Sequence, residues 1–159
     1  VWIMRGTPLL VQLIIIFYAL PMVGLTLPRF LAALVAFVLN YAAYYAEIFR
    51  GGINAIPKGQ LEAAKVLKLT KWQTVRYVQI PQVMKIVLPS VFNEIITLVK
   101  DSSLIYVVGL GDLLRAGKIA MSRDVSLIPI MMAAMIYLIL IGILTILSKK
   151  IEQQFDYYK

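Results

Sequence analysis

Composition and the lengths of the apolar stretches predict an all-α fold. The expected architecture is a polytopic membrane helix bundle of four spans with two short cytoplasmic helices. Of the 159 residues, 61% are hydrophobic, and the mean hydropathy is +0.84. Soluble domains contain roughly 45–50% apolar residues. Stretches of about 20 mostly apolar residues, enough to cross a bilayer as a helix, occur four times. Because backbone polar groups in lipid must bond within the chain, we expect these spans to be helical.

The distribution of positive charge predicts the topology of the four spans, which run approximately Thr7–Leu27, Phe30–Phe49, Gln82–Val108 and Leu127–Leu147. Eleven of the 16 Lys and Arg residues fall on one side: Arg5, Arg50, Lys58, Lys65, Lys68, Lys71, Arg76, Lys85, Lys149, Lys150 and Lys159. By the positive-inside rule, this side is cytoplasmic. The loop between the second and third spans and both termini are therefore expected in the cytoplasm. Arg29 and the Gly109–Asp124 segment are expected to face outward.

Several kinds of chemistry are excluded by residue type. The sequence has no Cys and no His, so disulfides, thiolate nucleophiles, imidazole bases and the usual zinc sites are not available. It also lacks the G-x-x-x-x-G-K-[ST] phosphate-binding loop, so it is not expected to bind ATP in the usual way. The formal charge of +8 raises the possibility of a nucleic-acid partner, but the positive residues concentrate beside membrane spans. We expect no metal, no cofactor and no enzymatic activity in this chain.

The loop at about residues 51–81 is longer than a simple connection requires and is predicted to fold. Pro57 suits the first turn of a helix, and the apolar spacing that follows predicts a short amphipathic helix through about Leu67. Thr70 followed three residues later by Gln73 forms a capping-box pattern, which predicts the start of a second helix. Pro81 is expected to end that helix and to open the next span.

Three functions fit two short basic helices next to a membrane. Juxtamembrane Lys and Arg commonly bind anionic lipid, so the loop can be a lipid-surface element. Two short helices joined by a tight turn also match the outline of a helix-turn-helix DNA reader, here tethered to a membrane. The third hypothesis is a docking element that receives force from a cytoplasmic motor. Composition alone does not separate these hypotheses.

The residues of the loop favour the third hypothesis. Glu62-Ala63-Ala64 is followed by Lys68 at a turn position and, after nine residues, by V-x-I-P ending at Pro81. This stretch resembles the EAA loop of ABC-transporter permeases, E-A-A-x3-G-x9-I-x-L-P. The flanking stretches RGTPLLVQL, AYYAEIFRGGINAIPKGQ and NEIITLVKDSSL resemble the bacterial histidine, glutamine and arginine permeases. The resemblance covers nearly the whole chain, with its motifs in order.

The resemblance implies one permease domain over residues 1–159, the transmembrane subunit of an ABC importer for a polar amino acid. It implies a multi-pass protein of a bacterial or archaeal cell membrane. The expected partners are an ATPase subunit that binds ATP and Mg, a second permease copy or paralogue, an extracytoplasmic amino-acid-binding protein and membrane lipid, but no nucleic acid. Family members usually have five spans, so we expect this chain, which begins at Val1, to be a fragment or to be truncated at its N-terminus.

The resemblance also implies roles for residues of the loop. The ATPase-coupling residues are expected to be Glu62, Ala63, Ala64, Lys68 and Pro81. Glu62 suits polar contacts at the rim of an ATPase cleft, and the two alanines permit close approach. Lys68 replaces the family glycine, at an expected cost of about 1 kcal/mol if the turn is left-handed. Leu67, Leu69 and Trp72 are expected to pack the two short helices together.

Polar residues within the spans are candidates for the transport path, because charges in a membrane are costly. In the third span they recur at three- and four-residue spacing on one face. By helical rise, Glu94 and Asn40 fall close to the bilayer midplane, where transporter substrate sites usually lie. We predict Asn40, Asn93, Glu94, Lys100 and Asp101 as substrate-binding residues. Carboxylates and amides suit an ammonium group or a cationic side chain.

Two alternatives remain for these polar residues. Glu94, Asn93 and Asn40 can instead form hydrogen bonds between helices, as intramembrane polar residues often do. Lys100 and Asp101, near the outer end of their span, can shape a gate rather than contact substrate. Near the end of the second span, we expect Glu47 and Arg50 to form a local contact before Gly51-Gly52 releases the chain from the helix.

Overall fold

The computed structural model of the protein describes residues 1–154, which form a bundle of helices joined by short connections. Lys159, counted above among the cytoplasmic charges, lies outside the described residues. The α-helices are α1 (Trp2–Gly6), α2 (Leu9–Ile14), α3 (Arg29–Asn54), α4 (Lys58–Val66), α5 (Lys71–Thr74), α6 (Ile80–Asp101), α7 (Leu113–Asp124) and α8 (Ile128–Gln154). Turns of π-helix occur at Ile15–Ala19 and Val75–Gln79, and turns of 3₁₀-helix at Leu20–Val23 and Ser102–Val108.

Within residues 1–154, three helices are long and apolar enough to cross a membrane, and the predicted all-α polytopic bundle is confirmed. They are Arg29–Asn54, Lys71–Val108 and Ile128–Gln154. The first predicted span is a shorter apolar helix, Leu9–Val23. The backbone is extended at Thr7 and Pro8 on one side of it and left-handed at Gly24 on the other, so these residues set its ends.

The sequence predicted that Pro81 ends the second short helix, and this prediction was wrong. Residues from Lys71 to Val108 form one continuous helix of 38 residues. The π-helical turn Val75–Gln79 immediately precedes α6, and Pro81 lies in the first turn of α6. A proline lacks the amide hydrogen that an α-helix uses, but local π-helical adjustment lets a membrane helix continue. The Gln82 side chain also donates to the Val78 carbonyl, at 2.9 Å.

The prediction that Gly51-Gly52 releases the chain was also wrong, because α3 continues through both glycines to Asn54. Gly52 is buried where α3 crosses α6, and a methyl group added to it would overlap the side chain of Val87. Small residues at a membrane helix interface let two backbones approach closely. The glycine therefore serves packing rather than helix termination.

The buried core lies where the N-terminal helices, α3 and the end of the third span meet. Its buried residues are Leu9, Leu13, Ala33, Ala36, Tyr41 and Val108. A smaller cluster of Ile56, Val83 and Val87 joins the end of α3 to the start of α6. Most of the apolar side chains on α8 are exposed, which is typical of a helix that faces lipid. Some polar residues of α3 and α6, including Asn40 and Glu94, lie on the inner side of the bundle, whereas others, including Asn93 and Lys100, are exposed.

Candidate functional site

A cavity of about 520 Å³ lies between the N-terminal segment, α3 and the second half of α6. Its size falls within the usual range for small-molecule sites, about 300–1,000 Å³. It is lined by polar and charged residues together with a few apolar ones. The polar members include Arg5, Thr7, Asn40, Tyr41, Tyr44, Glu94, Thr97 and Asp101. Charged residues of both signs, Arg5, Glu94 and Asp101, therefore converge at this cavity.

Three of the five predicted substrate-binding residues, Asn40, Glu94 and Asp101, line this cavity. Glu94 and Asp101 are seven residues apart, close to two helical turns, and so lie on the same face of α6. Asn93 and Lys100 each precede one of these carboxylates by one residue. Both are exposed and lie outside the cavity lining, on the adjoining face of α6.

Asn40 is buried and ties α3 to the N-terminal segment. Its amide nitrogen donates to the Met4 carbonyl at 3.1 Å and to Gln12 Oε1 at 3.2 Å. Gln12 in turn donates to the Met4 carbonyl and to the hydroxyl and carbonyl of Thr7. This network is the hydrogen bonding between helices that was the alternative to substrate binding for Asn40. It fixes the extended turn at Thr7 against α3 and so shapes one wall of the cavity.

Asp101 is oriented by a tyrosine that the sequence analysis left without a role. The Tyr41 hydroxyl, on α3, donates to Asp101 Oδ2 at 2.8 Å. A hydrogen bond to a carboxylate is shorter and stronger than one between neutral groups. The bond joins the middle of α3 to the last residue of α6, where the third span changes from α-helix to 3₁₀-helix.

Arg5 supplies the positive charge of the cavity lining, and sequence reasoning counted it only as a topological signal. Its guanidinium lies 5.4 Å from the centre of the Tyr44 ring and 3.6 Å from Glu47 Oε2. Glu47 also accepts from Arg50, which confirms the predicted contact between these two residues. The sequence feature that could have indicated a role in the cavity is the position of Arg5 directly before Gly-Thr-Pro, at the edge of an apolar stretch.

The coupling segment has the predicted order of two short helices. α4 ends at Val66, and both bonds of the Thr70–Gln73 capping box are present at the start of α5. Between the helices, Lys68 has φ +54°, so the turn is left-handed although no glycine is present. The Lys68 amide donates to Lys65 and the Leu69 amide to Ala64, which is the Schellman pattern for ending a helix.

The predicted coupling residues are mainly exposed. Glu62, Ala63, Lys68 and Pro81 are exposed, whereas Ala64 is only 2% exposed. In the fold, α4 contacts the π-helical turn Val75–Gln79. Ala64 thus provides the close contact within the chain, and the others remain open to solvent or a partner.

The predicted packing of the short helices was wrong for Leu67 and Trp72. Leu67 is 72% exposed, Trp72 is 70% exposed, and Leu69 is half-buried. Val66, Leu67 and Trp72 thus leave exposed apolar surface on the loop, next to its basic residues.

Among residues 1–154, no three Asp, Glu, His or Cys side chains come together to hold a metal ion. The cavity instead combines carboxylates with a guanidinium, tyrosine hydroxyls and an amide. Such groups can form charge-assisted hydrogen bonds to polar organic ions.

Comparison with known proteins gives a consistent result. Residues 1–156 match the family described as the binding-protein-dependent transport system inner membrane component. The arginine transport system permease protein ArtQ of Bacillus subtilis is 42% identical over 154 residues, covering 96% of this chain and 70% of that protein. The glutamine transport system permease protein GlnP of Escherichia coli is 37% identical over 155 residues, covering 96% and 71%.

Two solved structures are also similar. The crystal structure of an amino acid ABC transporter with histidines matches with a TM-score of 0.88 and 39% identity, covering 96% of this chain and 72% of that one. The MetNI methionine ABC transporter matches with a TM-score of 0.79 at 23% identity, which shows a shared fold. These findings do not support a tethered DNA-binding or lipid-surface protein. The chain is a multi-pass membrane protein that belongs to the binding-protein-dependent transport system inner membrane components, the permease subunits of ABC transporters.

Proposed function

We propose that this permease carries a polar amino acid through the cavity between its N-terminal segment, α3 and α6. The observation that supports this proposal is the convergence of Glu94, Asp101 and Asn40 with Arg5 around one cavity. Charged groups of both signs suit a zwitterion, whose ammonium and carboxylate need opposite partners. The names of the relatives, an arginine permease and a glutamine permease, agree with a polar amino acid.

The charges of the lining suggest how the substrate is oriented. The substrate ammonium would lie near Glu94 or Asp101, and its carboxylate near the guanidinium of Arg5, which presents a planar set of donors. The lining contains two carboxylates and one guanidinium. An amino acid with a positively charged side chain balances this set better than a neutral one, so we expect a preference for basic amino acids. Asn93 and Lys100 would act on the substrate from the adjoining face of α6.

We further propose that the loop from Glu62 to Pro81 docks on a separate ATPase chain, which binds ATP and Mg. Glu62, Ala63 and Lys68 are exposed at this surface, and the neighbouring apolar side chains offer area for a partner to bury. The Schellman turn and the capping box hold the two helices in defined positions. Because the helix from Lys71 to Val108 is continuous, movement of this surface would be transmitted to Asp101.

The same proposal places the loop and the C-terminus in the cytoplasm, since positive residues concentrate on that side. Pro81, in the first turn of α6, would lie where the loop enters the membrane. A second permease copy or paralogue would complete the pathway, and an extracytoplasmic binding protein would deliver the amino acid. The Gly109–Asp124 segment, at the opposite end of the bundle, is the surface available to that protein.

Uptake by the reconstituted transporter tests the substrate site. The chain, its ATPase and its binding protein are reconstituted in vesicles, and uptake of labelled arginine and labelled glutamine is measured. Glu94→Gln removes a charge but keeps the shape, and we expect arginine uptake at low substrate concentration to fall about 10-fold or more, as expected for a lost hydrogen bond to a charged group. Glu152→Gln, near the end of α8, is the matched control. Unchanged arginine uptake by Glu94→Gln would remove Glu94 from the site.

Co-purification tests the coupling surface separately. We expect Glu62→Ala to assemble in the membrane but to lose both ATPase binding and transport, whereas Glu94→Gln keeps ATPase binding. Since Glu62 is exposed, its replacement should not alter the fold. Full ATPase binding by Glu62→Ala would show that this residue does not support docking.

A further inference from the structure

Three positive side chains gather around one turn at the end of the bundle opposite the coupling loop. An Arg29 guanidinium nitrogen lies 3.2 Å from where a Cβ on Gly109 would be, and Arg115 donates to the Gly109 carbonyl. Lys118 Nζ lies 3.9 Å from the centre of the Tyr106 ring. The Gly109 amide donates to the Tyr106 carbonyl, so all three cations surround the same short stretch of chain.

These cations have no carboxylate partner within residues 1–154. The ion pairs of the described chain involve Glu47 and Asp124, not Arg29, Arg115 or Lys118. Asp112 lies nearby in sequence, but its oxygens accept from backbone amides at the start of α7 and from the Tyr137 hydroxyl. Three neighbouring cations repel one another, so an external anion would stabilise this arrangement.

An apolar groove starts beside the three cations. It has a volume of about 380 Å³ and is lined by Phe30, Ala33, Leu34, Phe37, Ile105 and Leu110, among others. Phe30 follows Arg29 in the chain, and Leu110 follows Gly109, so one end of the groove lies near the cationic cluster. Phe30 and Leu34 remain exposed along the groove. Its exposed walls are apolar, and its volume suits a hydrocarbon chain better than a polar solute.

The level of the cluster fits the membrane surface. α3 contains 26 residues and is about 39 Å long at 1.5 Å per residue, which exceeds the roughly 30 Å hydrocarbon core. Arg29, its first residue, therefore lies among lipid headgroups when α3 crosses the bilayer. The groove then runs from the headgroups into the acyl region.

We propose that this cluster and groove bind an anionic phospholipid, with its phosphate on Arg29, Arg115 and Lys118 and one acyl chain along Phe30, Leu34 and Phe37. A phospholipid joins an anion to a hydrocarbon chain, so it would use both the cationic cluster and the apolar groove. An acidic protein surface would match the cations but would leave the groove empty. Cations near a membrane surface each contribute roughly 1 kcal/mol to binding of anionic lipid.

Native mass spectrometry of the full chain tests the proposal. The protein is purified in detergent, delipidated, and titrated with phosphatidylglycerol or with phosphatidylcholine of the same acyl composition. We expect the wild type to prefer phosphatidylglycerol, and Arg29→Gln to weaken that binding about fivefold. Leu34→Trp fills the groove and should weaken binding of both lipids. Two control variants, Arg123→Gln in the Arg123–Asp124 pair and Leu138→Trp on exposed α8, should bind as the wild type does.

Three results would overturn the proposal. Equal losses in the controls and the site variants would show general attraction between lipid and the protein surface. Displacement of phosphatidylglycerol by inorganic phosphate, with no effect of Leu34→Trp, would indicate a site for a soluble anion. A photoreactive residue at position 34 that captures a polypeptide in native membranes, rather than a lipid, would assign the groove to a protein partner.

Discussion

The close crossing of α3 and α6 allows a paired test of the packing described above, using two adjacent glycines of α3. A methyl group at Gly52 would overlap the Val87 side chain, whereas one at Gly51 would have no neighbouring heavy atom within 4 Å. Both glycines lie within the same helix, so backbone effects on the two variants are closely matched. We therefore expect Gly51→Ala to stabilise the protein and Gly52→Ala to be less stable than Gly51→Ala.

The magnitudes follow from two competing terms. Alanine is favoured over glycine within a helix by about 1 kcal/mol, and this gain applies at both positions. At Gly52 the added methyl also overpacks a closed contact, which typically costs about 1–3 kcal/mol. Val87 is only 1% exposed, and a β-branched side chain is stiff at χ1, so it cannot easily move away. Gly52→Ala should be less stable than Gly51→Ala by about 1–3 kcal/mol.

Thermal unfolding in detergent measures the difference. At about 2–4 °C per kcal/mol for a chain of this size, the two midpoints should differ by several degrees, with Gly51→Ala the higher. In a double-mutant cycle, Gly52→Ala should cost less stability in a Val87→Ala background than in the wild type, because the overlapping group is absent. Equal midpoints for the two glycine variants would refute a packing role for Gly52.

Three further predictions concern the turn, the cavity and the second short helix. Lys68→Gly should raise the thermal midpoint by relieving about 1 kcal/mol of left-handed strain, whereas Lys68→Ala, which keeps the Cβ, should leave it unchanged. Tyr41→Phe removes the hydrogen bond to Asp101 and should lower stability by about 1–3 kcal/mol, measured by unfolding, and reduce arginine uptake. Thr70→Ala removes the helix cap, so hydrogen exchange at the Gln73 and Thr74 amides, which donate to Thr70, should accelerate about 2- to 30-fold. Unchanged exchange would contradict a stabilising cap.

Features that depend on neighbouring residues were predicted well from the sequence. The capping box needs only Thr70 and Gln73 at the right spacing, and both of its bonds are present. The two α6 carboxylates, Glu94 and Asp101, share the cavity because a seven-residue interval returns to the same helical face. Local rules were sufficient in these cases because no distant segment alters the outcome.

Features that depend on distant segments were predicted poorly. The sequence predicted that Gly52 releases the chain from the helix. Its packing role depends on contact with Val87 of α6, which the local sequence of α3 does not indicate. Pro81 was interpreted as a helix boundary, because a π-helical turn that accommodates it leaves no clear sequence signal. Arg5 and Tyr41 reach the cavity from different helices, so neither periodicity nor motif spacing indicated their roles. Contacts between distant segments, rather than local propensity, determine the role of each of these residues.

The π-helical turn Val75–Gln79 has a consequence for the direction in which the loop presents its side chains. A π turn contains one residue more than the α-helical turn it replaces, and each residue of an α-helix turns the chain by about 100°. Because the wider π turn absorbs that residue, its five residues rotate the chain by about as much as four residues of α-helix, roughly 400°. Deleting one residue within Val75–Gln79 would therefore restore regular α-helix and leave α5 facing nearly the same side of the bundle. Deleting one residue from a regular part of α6 would instead rotate α5 by about 100° and turn the coupling surface away from its present direction.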